Sequence, residues 1–205
     1  MTGDRREGRT GAASDERWRL FIAVPVTGTA AGALRAWMAV GRRERPGLKW
    51  VEPDHLHITL RFLGERPAAE MPALVAAGAR VAGAAAPVEV EVRGVGGFPS
   101  AERTRTLWAG VATGATELAG MAAGLEHELL AVAPDLDPLS HPFTAHVTLA
   151  RVRASWIDLT RWPHAVAARE RLWGRLPVRE LVLFRSRLRP GGPVYTPLHR
   201  WRLGR

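Results

Sequence analysis

The chain contains no cysteine among its 205 residues, which excludes disulfide bonds, thiol catalysis and zinc sites built on thiolate ligands. Long apolar runs are also missing, and no uninterrupted stretch approaches the roughly 20 residues of a membrane-spanning helix. Lysine is almost absent, because Lys49 is the only lysine among 29 basic residues and the others are arginines. The sequence therefore predicts a cytoplasmic protein that does not insert into a membrane.

The remaining composition is that of a folded globular protein. Hydrophobic residues make up 46% and charged residues 24%, and 205 residues suffice for one domain or two similar lobes with a sizeable core. Residues 1–16 are polar, charged and rich in small residues, so we expect a disordered tail without a signal peptide, followed by a single domain over 17–205. The net charge of +9, carried by arginines, permits an anionic partner such as RNA.

One short motif occurs twice in strand-like sequence. HITL covers residues 57–60 and HVTL covers residues 146–149. Side chains on a strand alternate between its two faces, so the histidine and threonine of each motif project together while the two apolar residues project into a core. A pair of such strands can offer one phosphoryl group two imidazoles and two hydroxyls. This set is sufficient for acid–base chemistry on a phosphodiester without a metal or other cofactor.

The pattern of apolar residues predicts an α+β fold with antiparallel sheets flanked by helices. One motif falls in each half, so we expect two pseudo-symmetric lobes around a central cleft that carries both motifs. Strands are predicted at 18–25, 48–51, 55–63, 88–92, 105–112, 143–152, 178–187 and 194–202. Helices are predicted at 27–40 with Thr27 as its cap, and at 68–84, 116–132 and 157–170, with residues 94–100 as a connector.

Several segments together resemble the bacterial and archaeal RNA 2′,3′-cyclic phosphodiesterases, the LigT-like members of the two-histidine phosphoesterases often labelled 2′-5′ RNA ligases. The resemblance covers most of the chain from Trp18 to Trp201 and implies the bilobal fold. It rests on HLHITLRFLGE, GGFPS, RTLWAGV, HPFTAHVTLARV and ELVLFRSRLRPGGPVYTPL, which occur in this order.

The resemblance implies hydrolysis of RNA 2′,3′-cyclic phosphate ends to 2′-phosphates, with His57 as proton donor and His146 as proton acceptor. Thr59 and Thr148 would bind the non-bridging phosphate oxygens. Two departures concern substrate preference. Relatives commonly carry Arg-Pro before the second histidine, where this chain has Thr144 and Ala145, and they often carry asparagine where it has His55.

Other candidate residues follow from position and chemistry. Arg151, five residues after His146, has the opposite strand parity and would reach a phosphate only if the strand bulges or ends there. Phe21, Trp108 and Tyr195 are candidates for contact with a nucleotide, and core packing explains each of them equally well. His55 and His57 alternate on a strand, but no third ligand lies at a convincing spacing for a metal.

Three functional classes stay open. The first is the metal-independent cyclic phosphodiesterase, acting as a monomer on RNA ends or small cyclic nucleotides. The second uses the same site for reversible 2′-5′ joining of tRNA halves, or for hydrolysis of another small cyclic phosphate. The third is a non-catalytic RNA-binding module. Two intact motifs argue against the third class, because binding alone needs no pair of proton-transfer groups.

Overall fold

The computed structural model of the chain describes residues 16–139, 141–153, 155–190 and 192–204. The predicted N-terminal tail lies outside these residues except for Glu16. This residue already belongs to the fold, because its carboxylate accepts a hydrogen bond of 2.8 Å from Arg185 and its carbonyl accepts one from the backbone N–H of Ala68.

Nine strands within the described ranges form one antiparallel hydrogen-bonded array. They are β1 (Arg17–Pro25), β2 (Lys49–Trp50), β3 (His57–Pro67), β4 (Val88–Phe98), β5 (Thr106–Val111), β6 (His146–Arg151), β7 (Leu172–Val178), β8 (Glu180–Arg189) and β9 (Gly192–Arg202). Their order is β7-β4-β5-β6-β3-β1-β8-β9, with β2 paired to β6. One lobe is therefore β3-β1-β8-β9 and the other is β6-β5-β4-β7. Each lobe begins at its motif strand, which confirms the predicted α+β, bilobal and pseudo-symmetric fold.

Helices cover the side of the array opposite the cleft. They are α1 (Gly28–Glu44), α2 (Met71–Ala84), α3 (Ala115–Val132) and the single turn α4 (Pro163–Val166). The helix α1 follows β1 of one lobe and packs on β7 of the other, and α3 follows β5 and packs on β3. Each of these two helices therefore covers the lobe that does not contain the strand before it. The apolar stripe predicted for α3 is buried as expected, at Leu118, Met121, Leu125 and Leu129. Within the described ranges, no helix is long and apolar enough to cross a membrane.

Three predicted segments were wrong. The strand predicted to stop at Gly64 continues to Pro67, because Gly64 adopts φ +68° and still pairs with Leu20. Residues 94–98, predicted as a connector, extend β4 because they pair with β5. The predicted helix at 157–170 reduces to a 3₁₀ turn and α4, since Pro163 cannot donate the hydrogen bond that a continuous helix needs.

Two further differences from the prediction concern the ends of α1 and a strand that was not predicted. The helix α1 runs four residues past its predicted end, and the side chain of Thr27 makes no capping hydrogen bond. Strand β7 was not predicted at all. It contains Pro177 and lies at one end of the array, the position where a strand tolerates a residue without an N–H donor.

Candidate active site

The two motif strands are direct neighbours at the centre of the array. Strands β3 and β6 pair antiparallel with Ile58 opposite Val147, and both of these side chains are fully buried. When this register is continued by one residue in each direction, His57 lies opposite Thr148 and His146 lies opposite Thr59. Each histidine therefore faces the threonine of the other motif across a pseudo-twofold axis. All four polar side chains are partly exposed, whereas the apolar residues that alternate with them are buried.

Both imidazoles are held in the same way. The Nδ1 atom of His57 lies 2.7 Å from the carbonyl oxygen of His55, and Nδ1 of His146 lies 2.7 Å from the carbonyl oxygen of Thr144. A carbonyl oxygen can only accept a hydrogen bond, so we assign the Nδ1 proton to each ring. Nε2 is then the nitrogen left to exchange a proton with a ligand. The contact uses only the backbone of Thr144, so it does not depend on the side chain at this position.

The surroundings of both motif histidines favour the neutral imidazole. Burial lowers the pKa of His57 from 6.5 to about 4, against the opposing effect of the hydrogen bond to the His55 carbonyl. Burial also lowers the pKa of His146, and the positive charge of Arg151 acts in the same direction on both rings. A bound anionic phosphate would oppose these effects and favour a charged imidazole.

A β-bulge brings Arg151 to the cleft. In the pairing of β5 with β6, Leu107 lies opposite Ala150 but Trp108 lies opposite Thr148, so Leu149 is an extra residue. The extra residue reverses the strand parity, and Arg151 consequently shares the face of the motif. Its charge influences the pKa of Tyr195 as well as those of the two histidines. The bulge that Arg151 needs in order to face the cleft is therefore present.

The other motif strand carries an equivalent bulge. Ile22 lies opposite Arg61 and Ala23 lies opposite Thr59, so Leu60 is the extra residue. The residue in the position of Arg151 is Phe62, which is 54% exposed and lies 5.9 Å from the ring of Phe21. The two halves of the cleft therefore share their backbone geometry but differ in charge.

Aromatic rings surround His57 on its lobe. Phe21 lies with its ring centroid 5.0 Å from that of His57 and stacks on Phe184 at 5.2 Å. Tyr195 lies edge-on to His57 at 5.5 Å and 4.7 Å from the ring of His55, and burial raises its pKa. Phe21 is only 3% exposed, so it supports the imidazole from below. No sequence signal pointed to Phe184, because a phenylalanine in an apolar strand is indistinguishable from ordinary core.

The surroundings of His146 are different. Phe98 lies edge-on to His146 at 5.0 Å and packs against Trp108 at 5.3 Å. The indole of Trp108 covers Gly96, where a Cβ atom would come within 2.3 Å of the ring. Its Nε1 is buried and has no hydrogen-bond partner among the described residues. The four candidates outside the motifs, Arg151, Phe21, Trp108 and Tyr195, thus all lie around the two motifs.

The spacing of His55 and His57 raised the question of a metal site. The ring of His55 packs on Tyr195, while its carbonyl oxygen contacts His57. Among residues with described positions, no three histidine or carboxylate side chains converge as a metal ion would require.

Known proteins share this sequence and arrangement. The family model described as LigT like Phosphoesterase matches residues 24–108 and 111–195, so each match contains one motif. The RNA 2′,3′-cyclic phosphodiesterase of Thermus thermophilus is 40% identical over 190 residues, which are 90% of each chain. The protein of the same name from Aquifex aeolicus is 31% identical over 76% of this chain and 82% of its own.

Solved structures agree with these relatives. A Thermus thermophilus protein of known structure, 35% identical, superposes with a TM-score of 0.76 over 90% of this chain and 97% of its own. The apo form of E. coli LigT, 26% identical, superposes with a TM-score of 0.75 over 93% of this chain and its whole length. LigT has also been crystallised with 3′-AMP and with phosphate. The chain belongs to the LigT-like phosphoesterase family.

Proposed function

We propose that the protein hydrolyses RNA 2′,3′-cyclic phosphodiester ends to 2′-phosphomonoesters by acid–base catalysis without a metal. The observation that carries this proposal is the symmetric pair of imidazoles, each held at Nδ1 by a backbone carbonyl and carried on strands that pair at Ile58 and Val147. The names of its relatives in Thermus and Aquifex support the choice of substrate. We expect a monomer that acts on RNA in the cytoplasm.

In the proposed reaction, Nε2 of His146 takes a proton from a water molecule that attacks the phosphorus. The bond between phosphorus and the ribose 3′ oxygen breaks on the opposite side, and His57 gives its proton to that oxygen. The water oxygen thereby becomes part of the 2′-phosphate. After turnover His146 is protonated and His57 is neutral, so exchange with solvent restores the starting state. Each positioned acid or base typically contributes about 10²–10⁴ in rate.

Thr59 and Thr148 donate hydrogen bonds to the non-bridging oxygens, where negative charge accumulates in the pentacoordinate transition state. Arg151 adds a positive charge at the same phosphate. An acid must carry a proton, but burial lowers the pKa of His57 to about 4, so without substrate its imidazole is neutral at pH 7. The phosphate favours the imidazolium, so the acid is charged only when substrate is present.

Nucleoside contacts fall to the aromatic residues around the cleft. Tyr195 is partly exposed beside His57 and is proposed to contact the terminal ribose and base. Trp108 packs against Phe98 on the side of His146, so its contact with the substrate stays a prediction. The more deeply buried Phe21 is proposed to fix the ring of His57 and to touch the nucleoside only with the edge of its own ring.

A short RNA with a 2′,3′-cyclic phosphate end tests the proposal. The wild-type protein, in excess EDTA, should convert it to a 2′-phosphate end, and His57→Ala and His146→Ala should each lose at least about a hundredfold in kcat. His127→Ala, an exposed histidine on α3, is the matched control. Turnover that requires added metal would contradict the mechanism, and binding without turnover would favour the RNA-binding module. Joining of tRNA halves under the same conditions would identify the 2′-5′ ligase alternative.

A further inference from the structure

A basic cavity opens beside the catalytic pair, on the side of His57. It has a volume of about 390 Å³, within the range of sites that hold small ligands. It lies between β2, the end of β6 and the hairpin that joins β8 to β9. We call it the basic groove and define it by Arg42, Lys49, Arg153, Arg189, His55 and Tyr195.

The groove carries an unbalanced positive charge. Arg151 also lines it, which makes five cationic side chains, and Glu52 is the one carboxylate among the lining residues. Arg42 is partly occupied, since its Nη2 atom donates to the Val51 carbonyl at 2.6 Å and lies 3.9 Å from Glu52. Lys49 and Arg189 are exposed and make no ion pair within the described ranges. The cations therefore exceed what the fold itself uses, which favours an anionic ligand.

The groove is continuous with the surroundings of the proposed acid. His55 and Tyr195 line the groove, and the same two residues contact His57, through the His55 carbonyl at 2.7 Å and the Tyr195 ring at 5.5 Å. The reaction has a direction, because the ribose leaves toward the acid and the water arrives on the side of the base. The nucleoside therefore lies on the side of His57, and the RNA chain leaves the site there.

We propose that the basic groove binds the phosphodiester backbone of the nucleotides that precede the cyclic phosphate. The substrate class is then an oligoribonucleotide, and a nucleoside 2′,3′-cyclic phosphate alone is a poor substrate. This inference rests on the proposed function. Trp50 also lines the groove, and its ring packs against Trp37 at 6.1 Å and Trp162 at 6.4 Å, which fixes this wall of the groove.

Kinetics with two substrates test the groove. Adenosine 2′,3′-cyclic phosphate reaches only the catalytic pair, whereas a hexaribonucleotide with the same end also reaches the groove. The double variant Lys49→Gln/Arg189→Gln should raise KM for the hexamer about tenfold, since each exposed ion pair contributes a factor of a few. It should leave the kinetics of the nucleoside cyclic phosphate unchanged. The control Arg43→Gln/Arg175→Gln removes two exposed cations outside the groove and should behave as wild type.

Salt provides a second kinetic readout. Each single-strand phosphate neutralised by the protein contributes a slope of about −0.7 in log affinity against log salt concentration. The wild type should therefore show a steeper salt dependence for the hexamer than for the nucleoside cyclic phosphate, and the double variant should lose the difference. Equal kcat/KM for both substrates in the wild type would overturn the groove but leave the phosphodiesterase intact. Conversion of neither substrate would instead overturn the proposed function.

Lys49 allows a test that needs no variant, because it is the only lysine of the chain. An amine-selective acetylating reagent should modify its exposed side chain, and peptide mass spectrometry should report the extent. The hexamer product with a 2′-phosphate end, at saturating concentration, should slow the acetylation of Lys49 severalfold. Adenosine 2′-phosphate should not. Equal protection by both ligands, or by neither, would overturn the proposal.

Discussion

Replacing His57 by asparagine should make the free energy of unfolding less sensitive to acid. Burial holds the pKa of this imidazole at about 4 in the folded protein, against 6.5 as its ordinary value. The unfolded chain therefore binds a proton at this position between pH 6.5 and 4, and the folded chain does not. Stability conferred by the neutral imidazole is fully present above pH 6.5 and is lost as the pH falls through this interval. Linkage gives a loss of about 2 kcal/mol at pH 5 and about 3 kcal/mol at pH 4.

Urea unfolding of the wild type and of His57→Asn at about pH 7.5 and about pH 5 measures this loss. Asparagine can still donate to the His55 carbonyl from its amide, so the backbone contact of 2.7 Å has a replacement. Groups that do not interact with His57 titrate equally in both proteins and cancel in the difference between them. The variant should gain about 2 kcal/mol relative to the wild type between the two pH values. His127→Asn, exposed on α3, controls for the loss of a histidine. A difference that does not change with pH would refute the reasoning.

Three further predictions concern the phosphate site and the junction of the lobes. Arg151→Gln should raise KM and shift the pH optimum of kcat/KM upward, because the arginine lowers the pKa of both motif histidines; a shift toward acid would contradict this electrostatic role. Thr148→Ala should reduce kcat about a hundredfold in single-turnover assays, and Thr148→Ser should recover most of it if the hydroxyl is what acts. Ile58→Ala should cost about 2–5 kcal/mol in urea unfolding because the side chain is fully buried between the lobes, whereas Phe62→Ala, at an exposed position, should cost far less.

Strand parity made the centre of the site predictable. Alternation alone placed the histidine and threonine of each motif on one face, and the structure confirms it, with Ile58 and Val147 in the core between them. Strand alternation alone gave the wrong face for Arg151. Arg151 faces the cleft only because Leu149 is an extra residue in the pairing with β5, and such a bulge depends on the partner strand as much as on the local sequence.

The elements that sequence patterns missed are those defined by distant partners. Residues 94–98 are rich in glycine, a composition typical of a connector, yet they form strand because they pair with β5. Glycine is needed at position 96 because the ring of Trp108 covers it and excludes any larger side chain. Strand β7 contains Pro177, a signal against strand, and is held by its pairing with β4. In both cases tertiary pairing overrides local propensity. The aromatic cluster of Phe21, Phe184 and Tyr195 beside His57 likewise joins β1, β8 and β9, whose adjacency no local pattern encodes.

The differences between the two lobes bear on which histidine is the acid. The backbone treats His57 and His146 alike, with the same carbonyl contact and equivalent bulges, so symmetry alone assigns neither role. The reaction is asymmetric, because one side must hold a nucleoside and the other must admit water. His57 lies among aromatic rings and next to the basic groove, which suits a nucleotide chain. His146 has one ring neighbour among the described residues, Phe98 at 5.0 Å, and the indole of Trp108 covers Gly110 opposite it. This asymmetry supports His57 as the group that meets the ribose oxygen and His146 as the group that meets the water.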